Sequence, residues 1–418
     1  MCGIAGIVTR DKPLAERALR AMLCAETHRG PDDEGLELID TGGNGGSGGG
    51  GTVVALGQRR LSIIDLSPLG HQPMHHAESG DWLTYNGELY NYMTFRRELE
   101  REGVRFRGHS DTEVMLAALV RWGPSAIERF EGMFAIIWYR AKQRTLVIAR
   151  DPVGIKPLYV VRTARAFALA SEVRALVESG LIDKRLDRAG LATLLAYGAV
   201  AEPHTLFEGV RSFPAGCWQE IPVDSLLDRE HPAPKRYWSP PQADSSITEA
   251  DATAQLRETL GDAVRDHLIS DVPVGVFLSS GIDSTLLAGL AAKHLPDLRS
   301  FTVAFADNPD LSEGEMAART AKEFGLRHTE VQITAREAEA EAAKWLMAQD
   351  QPSVDGLNVY IVSGAVKRQG MTVALSGLGG DEVFGGYPSF IDVPRLAGMM
   401  RKVRAVPRAM RPGGAAGG

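Results

Sequence analysis

From residue 248 onward the chain alternates expected helices and strands, and that alternation is its strongest constraint on fold. A helix over 248–267 leads into an apolar strand over 272–278, a Ser/Gly turn and a helix over 285–294. Strand 300–305, helix 313–324 and strand 329–333 follow, then helices over 337–348 and 359–369 and strand 372–375. Strands separated by helices cross over before pairing, so this half predicts a parallel α/β sheet. The first half has another grammar. Short strands over 35–39, 52–56, 135–139, 145–149 and 158–161 mix with helices over 15–26 and 112–122. Two architectures share 418 residues, a length that suits two domains.

The chain is 44% hydrophobic and 24% charged, the balance of a soluble globular protein with a core. A net charge of −7 argues against a partner held by phosphate neutralisation, so no nucleic acid is expected. No apolar run approaches the ~20 residues of a membrane span. No basic stretch followed by an apolar one marks a signal peptide. No membrane partner is expected. The three cysteines, Cys2, Cys24 and Cys217, make neither a C-x-x-C pair nor a zinc spacing, which fits a reducing cytoplasm. Cys24 and Cys217 read as buried or incidental thiols.

Residues 42–51, GGNGGSGGGG, read as a flexible loop within a hairpin. The Pro- and charge-rich stretch around 222–241 reads as a linker. The expected division is a domain over 1–215, a linker over 216–245, a second domain over 246–400 and a disordered tail over 401–418.

The first domain opens Met1-Cys2-Gly3-Ile4-Ala5-Gly6-Ile7. With Met1 removed, Cys2 carries a thiol and a free α-amine, and such an amine titrates near ~8. One residue then supplies both nucleophile and base. Four polar segments follow: His28-Arg29-Gly30-Pro31-Asp32, Arg60-Leu61-Ser62-Ile63, Asn86-Gly87-Glu88 and Ser110-Asp111. Singly they are weak. Asn-Gly is first a hairpin-turn signal, and Ser110-Asp111 could simply cap a helix.

Together, in this order and spacing, they resemble the class II glutamine amidotransferases, over roughly residues 1–200. The resemblance implies a four-layer αββα N-terminal-nucleophile sandwich that hydrolyses glutamine. It implies Cys2 as nucleophile, with Asn86 and the Gly87 N–H as oxyanion hole, where losing one donor typically costs ~3–4 kcal/mol of barrier. Arg60 would hold the glutamine α-carboxylate, Glu88 and Asp111 its α-amine, and Leu61 and Ile63 would complete the glutamine site.

In the second domain, the apolar strand after Asp271 ends in Ser279-Ser280-Gly281-Ile282-Asp283-Ser284, and a helix begins at once. Backbone N–H groups, hydroxyls and a helix dipole meet there, as in an anion site. The pattern G-x-x-x-x-G-K-[ST] is absent, so this is not a Walker A loop. The segment resembles the S-G-G-x-D-S pyrophosphate loop of ATP pyrophosphatases, with Ser280 in place of a glycine. Serine adds a hydroxyl but tolerates positive φ poorly. The later Ser376-Gly377-Leu378-Gly379-Gly380-Asp381-Glu382-Val383-Phe384-Gly385-Gly386-Tyr387 resembles the S-G-x-G-x-D-E-x-F-G-G-Y segment of asparagine synthetases.

These motifs resemble the glutamine-hydrolysing asparagine synthetase family. The implied second domain is a Rossmann-like α/β sheet of the adenine-nucleotide α-hydrolase type. ATP would lie against Phe277, Leu278, Ser279, Ser280, Gly281, Asp283, Ser284, Val303, Ser376 and Gly377. Mg²⁺ would sit on Asp283 and Asp381. The implied substrates are glutamine, aspartate and ATP, the implied class is an ATP-dependent carbon–nitrogen ligase, and the family allows a homodimer.

Two features depart from the family pattern. Leu378 stands where several members carry glutamate, and only 31 residues follow Tyr387, so the second domain is expected to be incomplete at its C-terminus. Two other readings share the motifs: a related ATP-dependent enzyme forming an amide on another acceptor, and a glutaminase-only or partner-binding protein.

Overall fold

The computed structural model describes residues 1–42, 51–227, 231–244, 246–307 and 313–405. The glycine run at 43–50, residues 228–230 and 245 of the expected linker, and the end of the expected tail lie outside the described residues. The chain forms two compact units, Met1–Pro273 with Thr334–Val373, and Val274–Ile333 with Ala374–Gly418.

In the first unit, β1 (Gly3–Thr9), α1 (Lys12–Ala25), β2 (Asp33–Asp40) and β3 (Val53–Arg60) precede β4 (Met74–His76) and β5 (Asp81–Leu89). Then come α2 (Tyr92–Arg101), α3 (Asp111–Trp122), β6 (Gly132–Arg140), β7 (Thr145–Arg150), β8 (Tyr159–Arg162) and β9 (Ala166–Ala170). After α4 (Val173–Glu178) and α5 (Arg188–Tyr197), β10 (Val210–Ser212), β11 (Cys217–Pro222), β12 (Lys235–Arg236) and α6 (Glu249–His267) follow.

The strands make two six-stranded sheets, ordered β10-β8-β9-β1-β3-β2 and β12-β11-β7-β6-β5-β4. Alternation sorts their side chains between layers. In β1, Ile4 and Val8 join Ala135, Ile137, Leu146 and Ile148 in a core between the sheets. Ala5 and Ile7 face the other way, packing with Leu19, Met22 and Leu176 of α1 and α4. On the far side, Leu83, Tyr85 and Leu89 of β5 pack with Phe95, Val114 and Met115 of α2 and α3. The result is the expected αββα order. Within 216–245, β11 pairs with β7 and β12, because Cys217, Ile221, Val223 and Leu226 are apolar enough to fill the inter-sheet core.

The second unit holds β13 (Val274–Phe277), α7 (Ile282–Ala291), β14 (Arg299–Phe305), α8 (Gly314–Glu323) and β15 (Arg327–Ile333). Helices α9 (Ala335–Ala348) and α10 (Leu357–Arg368) return to the first unit. Strand β16 (Val373–Leu375) and helices α11 (Gly380–Phe384) and α12 (Ser389–Ala405) follow. The sheet order is β15-β14-β13-β16, and the pairs β13–β14 and β14–β15 are parallel, as the alternation predicts. Helix α7 starts at Ile282, three residues before its expected start. Among the described residues no helix is long and apolar enough to cross a membrane.

Candidate active site

Strand register assembles the first pocket. Gly3 pairs with Arg59, so Cys2 lies beside the end of β3, where Arg60 sits. The Leu61 N–H points at the Cys2 sulfur, at 3.4 Å. Gly30 lets the 28–32 turn lie against β3, since a Cβ there would fall 2.3 Å from the Arg59 carbonyl carbon. From that turn Arg29 donates its Nε–H to the Cys2 carbonyl at 2.9 Å and its Nη1–H to Glu172 at 2.9 Å. The Asp32 carboxylate accepts the Ser62 N–H at 2.8 Å.

Asn86 and Gly87 lie inside β5, not in a turn. The pairing that overrides the local turn preference runs along the whole strand, from Trp82 opposite Tyr139 to Leu89 opposite Gly132. Asn86 is 1% exposed, and neither its amide N–H₂ nor its carbonyl oxygen has a partner among the described residues. A buried amide left without partners is costly, and its donors are available to a ligand. Strand alternation also directs Gly87. Phe134, opposite it, spends both its N–H and its carbonyl on Asp151. The Gly87 N–H is thereby aimed off the edge of β5. Its neighbours on that edge are satisfied: Tyr85 N–H by Gln72 Oε1 at 2.7 Å, Leu89 N–H by Asp111 Oδ2 at 3.0 Å. Gly87 has no room for a side chain, because a Cβ would sit 2.1 Å from the Met133 carbonyl oxygen.

Arg60, 7% exposed, is held by backbone carbonyls: Nη1 donates to Ser67, and Nη2 to Ile64 and Asp65. Asp111 begins α3 behind the Ser110 cap, whose hydroxyl accepts the Glu113 N–H at 3.2 Å. Its Oδ2 accepts from Tyr85 and Leu89, yet burial still pushes its carboxyl upward. Burial likewise lifts Glu88 to about 6, against the pull of Lys156.

One pocket gathers all eight expected residues of this domain: Cys2, Arg60, Leu61, Ile63, Asn86, Gly87, Glu88 and Asp111. Met1, Ile64, Gln72, Tyr85, Thr112 and Lys156 complete its wall. Lys156 was not expected. It arrives on the turn after β7, where the buried Asp151 carboxylate accepts the N–H groups of Val153, Ile155 and Lys156. A lysine among apolar and turn residues, Pro152-Val153-Gly154-Ile155-Lys156-Pro157, was the available signal. Burial lowers its ammonium, with Glu88 and Cys2 drawing it back up.

Burial shifts both ionisable groups at the N-terminus. Burial pushes the Cys2 thiol up, against the Leu61 N–H, the terminal amine, Arg60 and Lys156. The Met1 α-amine beside it is held down to about 6, chiefly by burial, with Arg29 and Lys156 adding to the effect. The resting pair is therefore a neutral thiol beside a neutral amine.

In the second unit, Ser279, Ser280 and Gly281 join β13 to α7, and Asp283 and Ser284 lie in the first turn of α7. Ser284 Oγ ties the loop, 2.8 Å from Ser279 Oγ and 3.1 Å from the Ser279 nitrogen that donates to it. Ser280 is accommodated, as it does not have a positive φ, and Gly281 has φ −73°. The Ser280 N–H is directed to Glu313 Oε2 at 3.1 Å. Phe277 ends β13, Leu278 is buried, and Val303 lies two residues beyond the Phe277–Phe301 pair. The loop after β16 meets the same region: Cβ atoms on Gly377 and Gly380 would fall 3.0 Å from Asp283 Cβ and 2.3 Å from Asp283 Oδ2. Asp381 follows in α11, and Leu378 is 77% exposed.

Comparison with known proteins matches the chain in two parts. Residues 1–238 match a family model described as glutamine amidotransferase domain, and residues 255–416 one described as asparagine synthase. A putative glutamine-hydrolysing asparagine synthetase of Mycobacterium tuberculosis is 37% identical over 406 residues, covering 93% of this chain and 60% of that protein. Asparagine synthetase 1 of Bacillus subtilis is 34% identical over 394 residues, with 93% and 59% covered. A putative asparagine synthetase 2 of Methanocaldococcus jannaschii is 30% identical over 431 residues, with 98% and 79% covered. The chain thus spans about 60% of the length of the first two of these relatives. With the αββα sandwich, the parallel sheet and these matches along most of its length, the chain belongs to the glutamine-hydrolysing asparagine synthetase family.

Proposed function

We propose that the first unit hydrolyses glutamine at Cys2 and that the chain uses the ammonia in ATP-dependent synthesis of asparagine. The observation that carries the glutaminase step is Asn86: a buried amide with no partner among the described residues, in the pocket that also holds the Cys2 sulfur.

With Met1 removed, the α-amine belongs to Cys2. That amine takes the thiol proton as sulfur attacks the carboxamide carbon. The negative oxygen that develops is met by the Asn86 amide and the Gly87 N–H. Collapse returns the proton to the leaving nitrogen, releases ammonia and leaves a thioester. Water, deprotonated by the same amine, attacks the thioester, and glutamate departs as the thiol is regenerated. Arg60 holds the glutamine α-carboxylate, while Glu88 and Asp111 face its α-ammonium, with Leu61 and Ile63 lining the site.

In the second unit, the 279–284 loop and Ser376-Gly377 are assigned to the ATP phosphates, and Phe277, Leu278 and Val303 to the base. The aspartate β-carboxylate attacks the α-phosphorus and pyrophosphate leaves. Ammonia then displaces AMP from the acyl-adenylate. Among the described residues no group of three or more His, Cys, Asp or Glu side chains could hold a metal. Asp283 and Asp381 nevertheless fit Mg²⁺, which takes one or two carboxylates and completes its shell with phosphate and water. Asp283 Oδ2 lies against Gly380, the residue before Asp381. When bound, the ion would neutralise phosphate charge.

Pyrophosphate release tests the whole reading. Release that requires both ATP and aspartate is expected. Glutamate formation with no ATP turnover would confine the activity to the first unit, and release driven by another carboxylate would change the acceptor.

A further inference from the structure

The Arg60 guanidinium is aimed by a loop, and that loop is itself held by one carboxylate. The peptide joining Ile64 to Asp65 has its carbonyl on Arg60 Nη2 at 3.2 Å and its N–H on Asp271 Oδ2 at 2.7 Å. A single peptide unit therefore bridges Asp271 to Arg60. The Asp65 carbonyl also accepts from Arg60 Nη2. For both carbonyls to turn inward, Asp65 adopts φ 58°, in the left-handed region. That conformation is unfavourable for a residue with a Cβ and persists only where its surroundings hold it.

Asp271 supplies much of that hold. Its own N–H donates to the Ile63 carbonyl at 2.9 Å, so it grips two successive points of the loop. Its Oδ2 also meets His109 Nε2 at 2.8 Å, and the His109 N–H reaches the buried Asp65 carboxylate at 3.0 Å. Asp65 itself feels burial first, but donors from Ser67 and His109 outweigh it and keep the carboxyl low. A carboxylate accepting a peptide N–H polarises that peptide and makes its carbonyl a better acceptor. All of these residues belong to the first unit.

We propose that Asp271 is a positioning residue for glutamine recognition: through the 64–65 peptide it holds residues 63–67 in the shape that presents Arg60 to the ligand carboxylate. This rests on Arg60 being the carboxylate clamp. Asp271 touches no reacting atom, so its loss weakens glutamine binding and leaves the chemistry of Cys2 in place.

The test compares Asp271→Ala, Asp271→Asn and Arg60→Ala in the full chain, by glutamine hydrolysis and by alkylation of Cys2 with iodoacetamide. Removing a charged acceptor from one hydrogen-bonded chain should raise KM for glutamine about tenfold in Asp271→Ala, with kcat within about twofold. Asp271→Asn, which keeps an acceptor oxygen, should recover part of that loss, and alkylation should proceed at the native rate. A native KM in Asp271→Ala, beside a raised KM in Arg60→Ala, overturns the inference alone. A native KM in Arg60→Ala overturns the clamp reading beneath it. A joint loss of kcat and alkylation in Asp271→Ala would make Asp271 a scaffold for the whole pocket and overturn its positioning role.

Discussion

The two motif-bearing sites are built on opposite plans. In the first unit the polar groups are folded in: Asn86, Arg60 and Asp111 are 1%, 7% and 5% exposed, and burial moves Glu88, Lys156 and Cys2 away from their ordinary pKa values. In the second, Leu278 and Ser284 are buried, but much of the rest of the motif lies open. Ile282 is 85% exposed, Leu378 77% and Val383 76%, and Asp381 is exposed as well. The first site can stabilise charge at once, because its dipoles are fixed and poorly solvated. The second is a set of loops whose donors are spent on one another and on Glu313. Pre-organisation is thus a property of the sandwich interior, and the parallel sheet supplies only the ends of its strands.

This contrast can be broken by substitution. The largest effect is expected at Asn86. Its amide makes no bond among the described residues, so Asn86→Ala should lower kcat for glutamine hydrolysis ~10²–10³-fold with little change in melting temperature. A fall in stability with native turnover would show that the amide is structural. A smaller effect is expected at Gly380. A Cβ there collides with Asp283, so Gly380→Ala should weaken ATP binding roughly tenfold, as read by calorimetry, because the collision displaces a group assigned to the phosphates. Glutaminase turnover should stay native. If it fell instead, the Gly380 loop would not be specific to the nucleotide site.

The smallest effect sharpens the electrostatic side. Burial raises Glu88 to about 6, so its negative charge is present above that pH and lost as pH falls through it. KM for glutamine should therefore rise a few-fold between about pH 7 and pH 5. Glu88→Gln should show the higher KM throughout and flatten that limb. A native pH profile in Glu88→Gln would remove Glu88 from ligand recognition.

How much of this was legible beforehand depended on whether a residue's function follows from its local neighbours. The strand–helix alternation of the second half survives with boundaries moved by a few residues, because each element carries its own periodicity. Cys2, Arg60 and Asn86 were legible from motif order, although Asn86-Gly87 as a bare dipeptide points to a turn; pairing with β6 over the whole of β5 decides otherwise. Lys156 and Asp271 were not legible in this way. Lys156 reaches the pocket only because Asp151 ties the turn after β7, and Asp271 acts on a loop some 200 residues earlier in the chain. Neither spacing nor composition reports a contact of that range. The strands within 216–245 were hidden for a related reason: proline and charge there mask the few apolar residues that enter the core.

The central claim is that Cys2, freed of Met1, is the glutaminase nucleophile. Its most direct test is glutamate release from glutamine by the purified chain, with the N-terminus defined by mass spectrometry, beside Cys2→Ala. Release is expected from chains that begin at Cys2, and none from Cys2→Ala or from chains that retain Met1. Glutamate release that persists in Cys2→Ala would contradict it.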